Sequence, residues 1–355
     1  MAAGPYLRPT GFVEAPFGHD GKVARLAGGM CWFSAVEILR RGAEPELLAV
    51  SDIEAFLSSC PEAEPVWSNL IGTRPPLSCS GRAFRFDQPQ IMGILNVTPD
   101  SFSDGGAYED VTAAAEAGWD MSAAGAALID IGGESTRPGA EPVWEGDEAA
   151  RILPVVERLR DQGALISIDT RKAAVMRAAL TAGAHLVNDV SALTYDSESA
   201  GVVAEAGVPV VLMHAQGDPQ TMQQAPAYDH VLLDVYDWLA ERIDAAVAAG
   251  IERGRIIVDP GIGFGKTLRH NLALINGLSL FHGLGAPLLL GASRKRFIGA
   301  LSKEAPADRR LAGSLTVLQA GLSQGVQLVR VHDVPESVQA LHVWRGLRDA
   351  ALSPA

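Results

Sequence analysis

Cysteine is scarce in this sequence, with three among 355 residues: Cys31, Cys60 and Cys79. The number is odd and no two of them form a Cys-x-x-Cys pair, which disfavours both a disulfide framework and a zinc site. Free thiols in a reducing compartment are the simpler interpretation. We therefore expect a cytoplasmic protein.

Basic charge and long apolar runs are also in short supply. The 29 Lys and Arg residues are outnumbered by 42 Asp and Glu residues, which gives a formal net charge of −13. No apolar run reaches the roughly 18 residues of a membrane span, and the first residues lack the basic start and apolar core of a signal peptide. We expect no membrane association and no nucleic-acid partner, although a local basic cluster can still bind an anionic substrate.

An apolar run and a polar loop meet at Asn96. Residues 91–95, Ile-Met-Gly-Ile-Leu, suit a strand that is buried on both faces. From Asn96 the sequence turns polar, carries two carboxylates, and is interrupted by a proline and by Gly105-Gly106. A buried strand that delivers an amide side chain and an acidic loop to one place is typical of active sites in α/β enzymes.

Apolar runs then recur at regular spacing, separated by segments with helical periodicity. The eight runs are 91–97, 127–131, 165–168, 185–190, 209–213, 255–258, 287–290 and 327–331. The last helix has a start signal, because Asp333 is followed by Glu336 and by Pro335 in its first turn. Because one α/β barrel takes about 250 residues, the pattern predicts a (β/α)8 TIM barrel over residues 81–350, rather than a doubly wound sheet.

Residues 1–80 differ from the rest and contain no recognisable chemical motif. We expect one helix near 34–41 and a second from about Ser51 through Leu57, with Ser51 as its N-cap. The alternation over 82–86 predicts a strand that closes the bottom of the barrel. We interpret 1–80 as an N-terminal extension used for packing or for an oligomer contact, rather than for a second activity.

Nearly every apolar run stops on a polar residue. These residues are Asn96, Asp169, Asn188, Asp189, His214, Asp259, Ser293, Arg330 and His332. Any one of the Asp, Asn or Ser residues is explained as a helix N-cap, but so many donors and acceptors at one face of a barrel indicate a site. The acceptors Asp169, Asn188 and Asp259 imply a ligand that offers several N–H donors, because buried carboxylates without a partner are costly. Arg330 and His332 share a face of their strand and predict an anion site.

The segment 260–267 imitates two nucleotide-binding motifs and satisfies neither. A P-loop requires glycine where Pro260 stands, and the dinucleotide pattern requires a third glycine where Lys266 stands. We interpret the segment as a tight loop that lets a flat ring approach the backbone, with Phe264 stacking nearby.

Two long stretches, 91–106 and 130–139 (Asp-Ile-Gly-Gly-Glu-Ser-Thr-Arg-Pro-Gly), closely resemble the dihydropteroate synthase family. Shorter matches follow in the same order: Ser-Ile-Asp-Thr at 167–170, Val-Asn-Asp-Val at 187–190, Leu-Met-His at 212–214, Ser-Arg-Lys at 293–295 and Arg-Val-His-Asp at 330–333. The resemblance covers residues 80 to 345. It implies a transferase that joins 6-hydroxymethyl-7,8-dihydropterin diphosphate to 4-aminobenzoate and releases diphosphate. It also implies a homodimer.

The resemblance assigns roles to particular side chains. Pterin binding falls to Asp169, Asn188, Met213, Asp259, Gly263, Phe264 and Lys295. Diphosphate binding falls to Thr136, Arg330 and His332, and aminobenzoate binding to Phe102, Arg137, Pro138 and Ser293. The catalytic set is Asn96, Asp104, Thr136, Arg137 and Lys295. The Asn96 amide oxygen would also hold Mg²⁺ on the diphosphate, which suits a hard ion that takes few protein ligands.

Two other functions share parts of this pattern. A pterin-binding barrel that transfers a methyl group from methyltetrahydrofolate to a corrinoid would keep Asp169, Asn188 and Asp259. It would not need the polar loop after Asn96, Arg137 or the predicted anion site. A non-catalytic pterin-binding paralogue is the third hypothesis, and the intact charged loops argue against it.

Overall fold

The chain forms fourteen strands and eleven helices over the residues that the structure describes. In this computed structural model these residues are 4–79, 81–98, 107–135, 141–217, 222 and 225–353. The strands are β1 Tyr6–Val13, β2 Ala24–Arg25, β3 Trp32–Leu39, β4 Glu46–Ala49, β5 Leu77–Cys79, β6 Arg82–Phe84, β7 Gln90–Asn96, β8 Leu128–Gly132, β9 Ile166–Asp169, β10 Leu186–Asp189, β11 Val210–Met213, β12 Ile256–Asp259, β13 Leu289–Leu290 and β14 Leu328–Val331. The helices are α1 Ile53–Ser59, α2 Glu64–Ile71, α3 Ala107–Ala123, α4 Glu145–Asp161, α5 Ala173–Ala182, α6 Ser199–Ala206, α7 Val231–Ala248, α8 Leu268–Asn276, α9 Arg296–Leu301, α10 Leu311–Leu322 and α11 Val334–Leu352.

Strands β7 to β14 form one parallel sheet that curls into a barrel. Its order is β12-β11-β10-β9-β8-β7-β14-β13, and a parallel bridge between Val258 and Leu288 brings the two edges together. All four residues of β9, β10, β11 and β12 are buried, as expected for strands with helices on one side and the barrel interior on the other. The predicted (β/α)8 barrel is therefore confirmed, with all eight strands within two residues of their predicted bounds.

An apolar plug closes the end of the barrel where the strands begin. The hairpin β5–β6 and the residue Phe86 pack against the first residues of the strands. The buried side chains of this floor are Leu77, Cys79, Phe84, Phe86, Met92, Leu128, Leu165, Leu186, Val211, Ile257, Leu289 and Leu328. The predicted strand at the barrel bottom is confirmed for residues 82–84.

The helix that we expected near 34–41 is wrong, because these residues form most of β3. Ala35, Val36, Ile38 and Leu39 have the spacing of a helix face, but β3 pairs antiparallel with β1 and with β4. The hydrogen bonds to these two neighbouring strands, and the burial that the sheet provides, override the local pattern. The second expected helix exists as α1, preceded by a 3-10 turn over Val50–Asp52. The prediction of Ser51 as its N-cap is wrong, because Ser51 lies within this turn and Asp52 takes the N-cap position without a side-chain cap bond.

The N-terminal sheet packs against the helical layer of the barrel. The Tyr6 hydroxyl donates to both Asp237 oxygens, at 2.9 and 2.8 Å, and Arg41 pairs with Asp234 and Asp237 on α7 at 2.7 and 2.6 Å. One apolar cluster runs from Phe33 of β3 to helix residues of the barrel. The extension and barrel thus share a core, while the boundary predicted between residues 80 and 81 stays a prediction.

Among the described residues, the helices include none that has both the length and the apolar character of a membrane span.

Candidate active site

The strand ends bring a compact group of charges to one end of the barrel. Arg330, near the end of β14, donates from Nε to Asp130 Oδ2 at 2.6 Å and from Nη2 to Asp169 Oδ2 at 2.7 Å. Asp130 and Asp169 are both buried. Burial opposes the charge of the guanidinium, but Asp130 and Asp169 outweigh it and raise the pKa of Arg330. One cation therefore lies between two carboxylates at the centre of the group.

Asn188 extends this network on the next strand. Its Nδ2 donates to Asp130 Oδ2 at 3.0 Å. Because a carboxylate accepts and does not donate, the amide nitrogen must face Asp130, which directs the amide oxygen of Asn188 elsewhere. This orientation agrees with the predicted role of Asn188 as an acceptor for a ligand.

Asp169 carries an unmet capacity to accept hydrogen bonds. Burial raises the pKa of Asp169 to about 7, although Arg330 opposes the shift. Its Oδ1 is buried and has no hydrogen-bond partner within the described part of the chain, and the same holds for Asp130 Oδ1. Leaving such atoms unpaired costs free energy, so both oxygens are suited to a ligand that brings N–H donors.

Asp259 and Lys295 approach the same space from β12 and from the start of α9. Asp259 Oδ1 accepts from the Gly261 N–H at 2.7 Å, and burial raises the pKa of this carboxyl. A Cβ placed on Gly291 would lie 3.5 Å from Asp259 Oδ2 and 4.0 Å from Arg330 Cβ. Gly291 therefore lies between Asp259 and Arg330, and a side chain there would contact both.

An aromatic face and a cation form one wall of this space. Lys295 Nζ lies 3.9 Å from the centroid of the Phe264 ring. Burial lowers the pKa of Lys295 to about 8, while Asp259 acts in the opposite direction. Gly263 lies against the same lysine, because a Cβ atom added to this glycine would be 3.1 Å from Lys295 Cδ. Met213, buried at the end of β11, is the strand partner of Asp259.

A buried lysine within the loop 260–267 stabilises the loop. Lys266 Nζ lies 2.9 Å from His214 Nδ1 and donates to the Phe264 carbonyl at 2.9 Å. Gly261 has φ +68°, and a Cβ there would lie 1.8 Å from the His214 carbonyl, so glycine alone fits. The tight loop that we expected is therefore present. His214 contacts this loop through Lys266 and does not belong to the acceptors Asp169, Asn188 and Asp259.

Ser293 and His332 meet beside Arg330. The His332 Nδ1 lies 3.0 Å from Ser293 Oγ, and the His332 backbone N–H donates to the same hydroxyl at 3.2 Å. Arg294 turns away and pairs with Asp333, with Nε 3.0 Å from Oδ2. Asp333 does take the N-cap position of α11, but its carboxylate binds this arginine and makes no side-chain cap bond.

Five predicted site residues lie outside the described part of the chain: Phe102, Asp104, Thr136, Arg137 and Pro138. Asn96 is described and ends β7 as a partly exposed residue.

Asp130 was missed by sequence reasoning, although it is fully buried and joins Arg330 to Asn188. The sequence did offer a sign of its role, because Asp130 stands one residue before the end of the apolar run 127–131. A charge that is buried in such a run needs a partner.

Comparisons with known proteins agree with this geometry. A family profile described as pterin binding enzyme matches residues 92–332, which defines the class. The Escherichia coli K12 dihydropteroate synthase is 45% identical over 268 residues, covering 75% of this chain and 94% of that protein. The Mycobacterium leprae dihydropteroate synthase is 48% identical over 260 residues, covering 72% and 92%.

Solved structures give the same result. The Xanthomonas albilineans dihydropteroate synthase with 4-aminobenzoic acid aligns with a TM-score of 0.73 at 47% identity, covering 78% of this chain and 99% of that chain. The enzyme from the same organism in complex with 7,8-dihydropteroate aligns with a TM-score of 0.71 at 44% identity, covering 77% and 99%. This chain belongs to the dihydropteroate synthase family of pterin-binding enzymes.

Proposed function

We propose that this protein condenses 6-hydroxymethyl-7,8-dihydropterin diphosphate with 4-aminobenzoate to give 7,8-dihydropteroate and diphosphate. The observation that carries the proposal is the set of buried acceptors around Arg330, two of whose oxygens lack partners among the described residues. The family relatives that are solved with 4-aminobenzoic acid and with 7,8-dihydropteroate support the same reaction.

The pterin would lie near Gly263, Phe264 and Gly291. Its amino group and ring N–H groups would donate to Asp169, Asn188 and Asp259, and its ring acceptors would receive a hydrogen bond from Lys295. The lowered pKa of the partly buried Lys295 supports this role, because a lysine that is removed from water needs a partner to stay charged. Met213 would pack against the ring.

The diphosphate would lie toward Arg330 and His332. In the described structure Arg330 already binds Asp130 and Asp169, so it reaches the anion as part of a network rather than as a free side chain. Thr136, from the loop after β8, would add a hydroxyl to the same group. Cations aimed at the departing group stabilise the charge that builds up in the transition state.

The chemistry needs charge stabilisation rather than a covalent nucleophile. The carbon–oxygen bond breaks, both electrons leave with the diphosphate, and the electron-rich dihydropterin stabilises the cation that remains. The arylamine nitrogen then attacks this carbon and loses one proton. Asp104 would lie beside the cation by family resemblance, while Phe102, Arg137, Pro138 and Ser293 would hold the aminobenzoate.

Magnesium is part of the proposal. Within the described residues no three His, Cys, Asp or Glu side chains group as a metal site, and Arg330 binds the carboxylates of Asp130 and Asp169. The partly exposed Asn96 therefore fits an ion that is held mainly by diphosphate oxygens, with the amide oxygen as a protein ligand. Bound in this way, Mg²⁺ would neutralise charge on the departing diphosphate.

The decisive assay follows diphosphate release and dihydropteroate formation with and without 4-aminobenzoate. We expect both products only when both substrates and Mg²⁺ are present. Binding of the pterin diphosphate without dihydropteroate formation would favour the non-catalytic paralogue. Methyl transfer from methyltetrahydrofolate to a corrinoid would favour the other enzyme.

We also propose a cytoplasmic homodimer. The three cysteines, Cys31, Cys60 and Cys79, are all described, buried and unpaired, which supports a reducing compartment. The dimer follows from the family resemblance alone, and sedimentation of the purified protein would test it.

A further inference from the structure

A buried lysine lies in the loop 260–267, and the reaction described above does not use it. Lys266 is 3% exposed, and its Nζ donates to the carbonyls of Phe264, at 2.9 Å, and of His214, at 3.3 Å. The same Nζ lies 2.9 Å from His214 Nδ1. Burial lowers the pKa of His214 to about 2, so this ring is uncharged. Within the described residues, the hydrogen-bond partners of Lys266 Nζ are therefore uncharged.

A lysine whose partners are uncharged is costly to bury. Burial lowers the pKa of Lys266 well below its usual value, although Asp259 acts in the opposite direction. A methionine would occupy a similar space and carry no charge that has to be removed from water. The stability of the fold therefore does not account for a lysine at this position. What the lysine adds is a set of N–H donors for two backbone carbonyls.

Tyr228 holds the next carbonyl of the same loop. Its hydroxyl donates to the Gly265 carbonyl at 2.8 Å. Gly265 has φ +62°, and a Cβ there would lie 2.4 Å from the Gln216 carbonyl, so the loop lies directly against the chain that follows β11. We call Lys266 and Tyr228 the loop clamp, because they bind two consecutive carbonyls, those of Phe264 and Gly265.

The loop clamp fixes the backbone that carries the Phe264 ring. The Phe264 N–H donates to the Gly261 carbonyl at 3.2 Å, so together with the bond from Lys266 both backbone polar groups of Phe264 are engaged. The ring faces Lys295, whose Nζ is 3.9 Å from the ring centroid. A movement of the loop away from β11 would break the carbonyl bonds and separate the ring from Lys295.

We propose that Lys266 and Tyr228 are positioning residues, which hold the Phe264 ring against Lys295 and so set the affinity of the site for the pterin ring. The inference rests on the proposed function, because Phe264 and Lys295 bind the pterin in that proposal. The effect is indirect. A binding residue that is already held in place loses less conformational freedom when the ligand arrives, and more of the interaction energy then appears as affinity.

The test removes the bonds of the two clamp residues separately. Tyr228→Phe deletes one hydroxyl and keeps the ring contacts with His214 and His270, whose centroids lie 6.0 and 4.9 Å away. Lys266→Met deletes the amine. In calorimetry with free 6-hydroxymethylpterin, we expect the Kd to rise about threefold in Tyr228→Phe and about tenfold in Lys266→Met, the scale of one or two lost hydrogen bonds. The KM for 4-aminobenzoate, at saturating pterin diphosphate, should stay unchanged.

A double-mutant cycle with Phe264→Ala shows whether the loop clamp acts through the aromatic ring. Once the ring is absent, its position has no effect on the pterin. Adding either clamp substitution to Phe264→Ala should therefore change the Kd by less than about twofold. Additive losses, in which a clamp substitution weakens pterin binding as much in Phe264→Ala as in the wild type, would overturn the inference.

Tyr6→Phe is the matched control for Tyr228→Phe. It also deletes one tyrosine hydroxyl, at the contact between the extension and α7, and should leave the Kd for the pterin unchanged. Unchanged pterin affinity in Tyr228→Phe would overturn the inference whether or not Lys266→Met folds, as would an equal rise in the KM for 4-aminobenzoate. A wild-type protein that binds no pterin or forms no dihydropteroate would instead overturn the proposed function.

Discussion

The two ends of the barrel strands are built from opposite chemistry. At their starts the strands contribute Met92, Leu128 and Leu328 to an apolar floor closed by Phe86. At their ends the same strands carry charged and amide side chains, several of them buried. The floor is stabilised by the removal of apolar surface from water, whereas the other end holds groups whose burial is unfavourable until a ligand arrives.

This contrast separates the sources of stability and of function along each strand. Substitutions at the floor should change unfolding without touching substrate affinity. Substitutions at the charged end should do the reverse, because ligand sites keep groups that a folded protein alone would not select. Four experiments test how complete this separation is.

The largest effect is expected for Phe86→Ala at the floor. Phe86 is 1% exposed, and removing a buried aromatic side chain typically costs 3–5 kcal/mol, that is, roughly that much of the free energy of unfolding. Denaturant unfolding would measure it, with Phe17→Ala as control, because Phe17 is 59% exposed. A strong loss of pterin affinity in folded Phe86→Ala would show that the two ends are coupled.

Asp259→Asn should weaken pterin binding by about 2–4 kcal/mol, because an acceptor that faces N–H donors becomes partly a donor. The melting temperature should stay the same or rise, since burial of this carboxyl is unfavourable, as its raised pKa indicates. Isothermal titration calorimetry with the pterin measures the first effect. Unchanged pterin affinity would show that Asp259 does not bind the pterin.

The charged end should also leave a signature in the pH dependence of stability. The pKa of Asp169 is about 7 in the folded protein and lies above its ordinary value of 3.8, so the folded state binds the proton more tightly. The contribution of Asp169 to the unfolding free energy should therefore fall as the pH rises from about 4 to 7. Asp169→Asn should flatten this part of the melting profile, and an identical profile would contradict the assignment.

The smallest effect is expected for Tyr6→Phe, at the contact between the extension and α7. It removes the hydroxyl that bonds Asp237 but leaves Arg41 paired with the same carboxylate. The expected loss of unfolding free energy is about 1 kcal/mol. Steady-state assays should give unchanged kcat and KM, because the extension contact lies at neither end of the strands. A lower kcat would connect the extension to catalysis.

The barrel could be predicted because its strands are buried on both faces and so read as continuous apolar runs. The polar residue at each run's end, such as Asp259 after Ile256–Val258, located the face of the site as well. Strand β3 was misjudged because its pairing with β1 and β4 cannot be seen in the spacing of its own apolar residues. Helix periodicity and strand burial then produce the same apolar spacing.

Asp130 and Lys172 show a second limit of what the sequence can predict. The local sequence does not show whether a charge inside a strand meets a ligand or a distant arginine, and Asp130 meets Arg330 from 200 positions away. Lys172 similarly follows Asp169 as an ordinary polar residue in the sequence. Only the folded chain shows that it reaches Glu148 and the Val143 backbone.

The apolar floor has a consequence for how substrates enter and products leave the enzyme. Because Leu77, Phe84 and Phe86 cover the strand starts, we expect small molecules to enter and leave at the opposite end. The diphosphate released in one turnover therefore departs by the same mouth through which the next pterin diphosphate arrives. In the proposed reaction both the released diphosphate and the incoming pterin diphosphate would bind at Arg330 and His332, so accumulated diphosphate should act as a competitive product inhibitor.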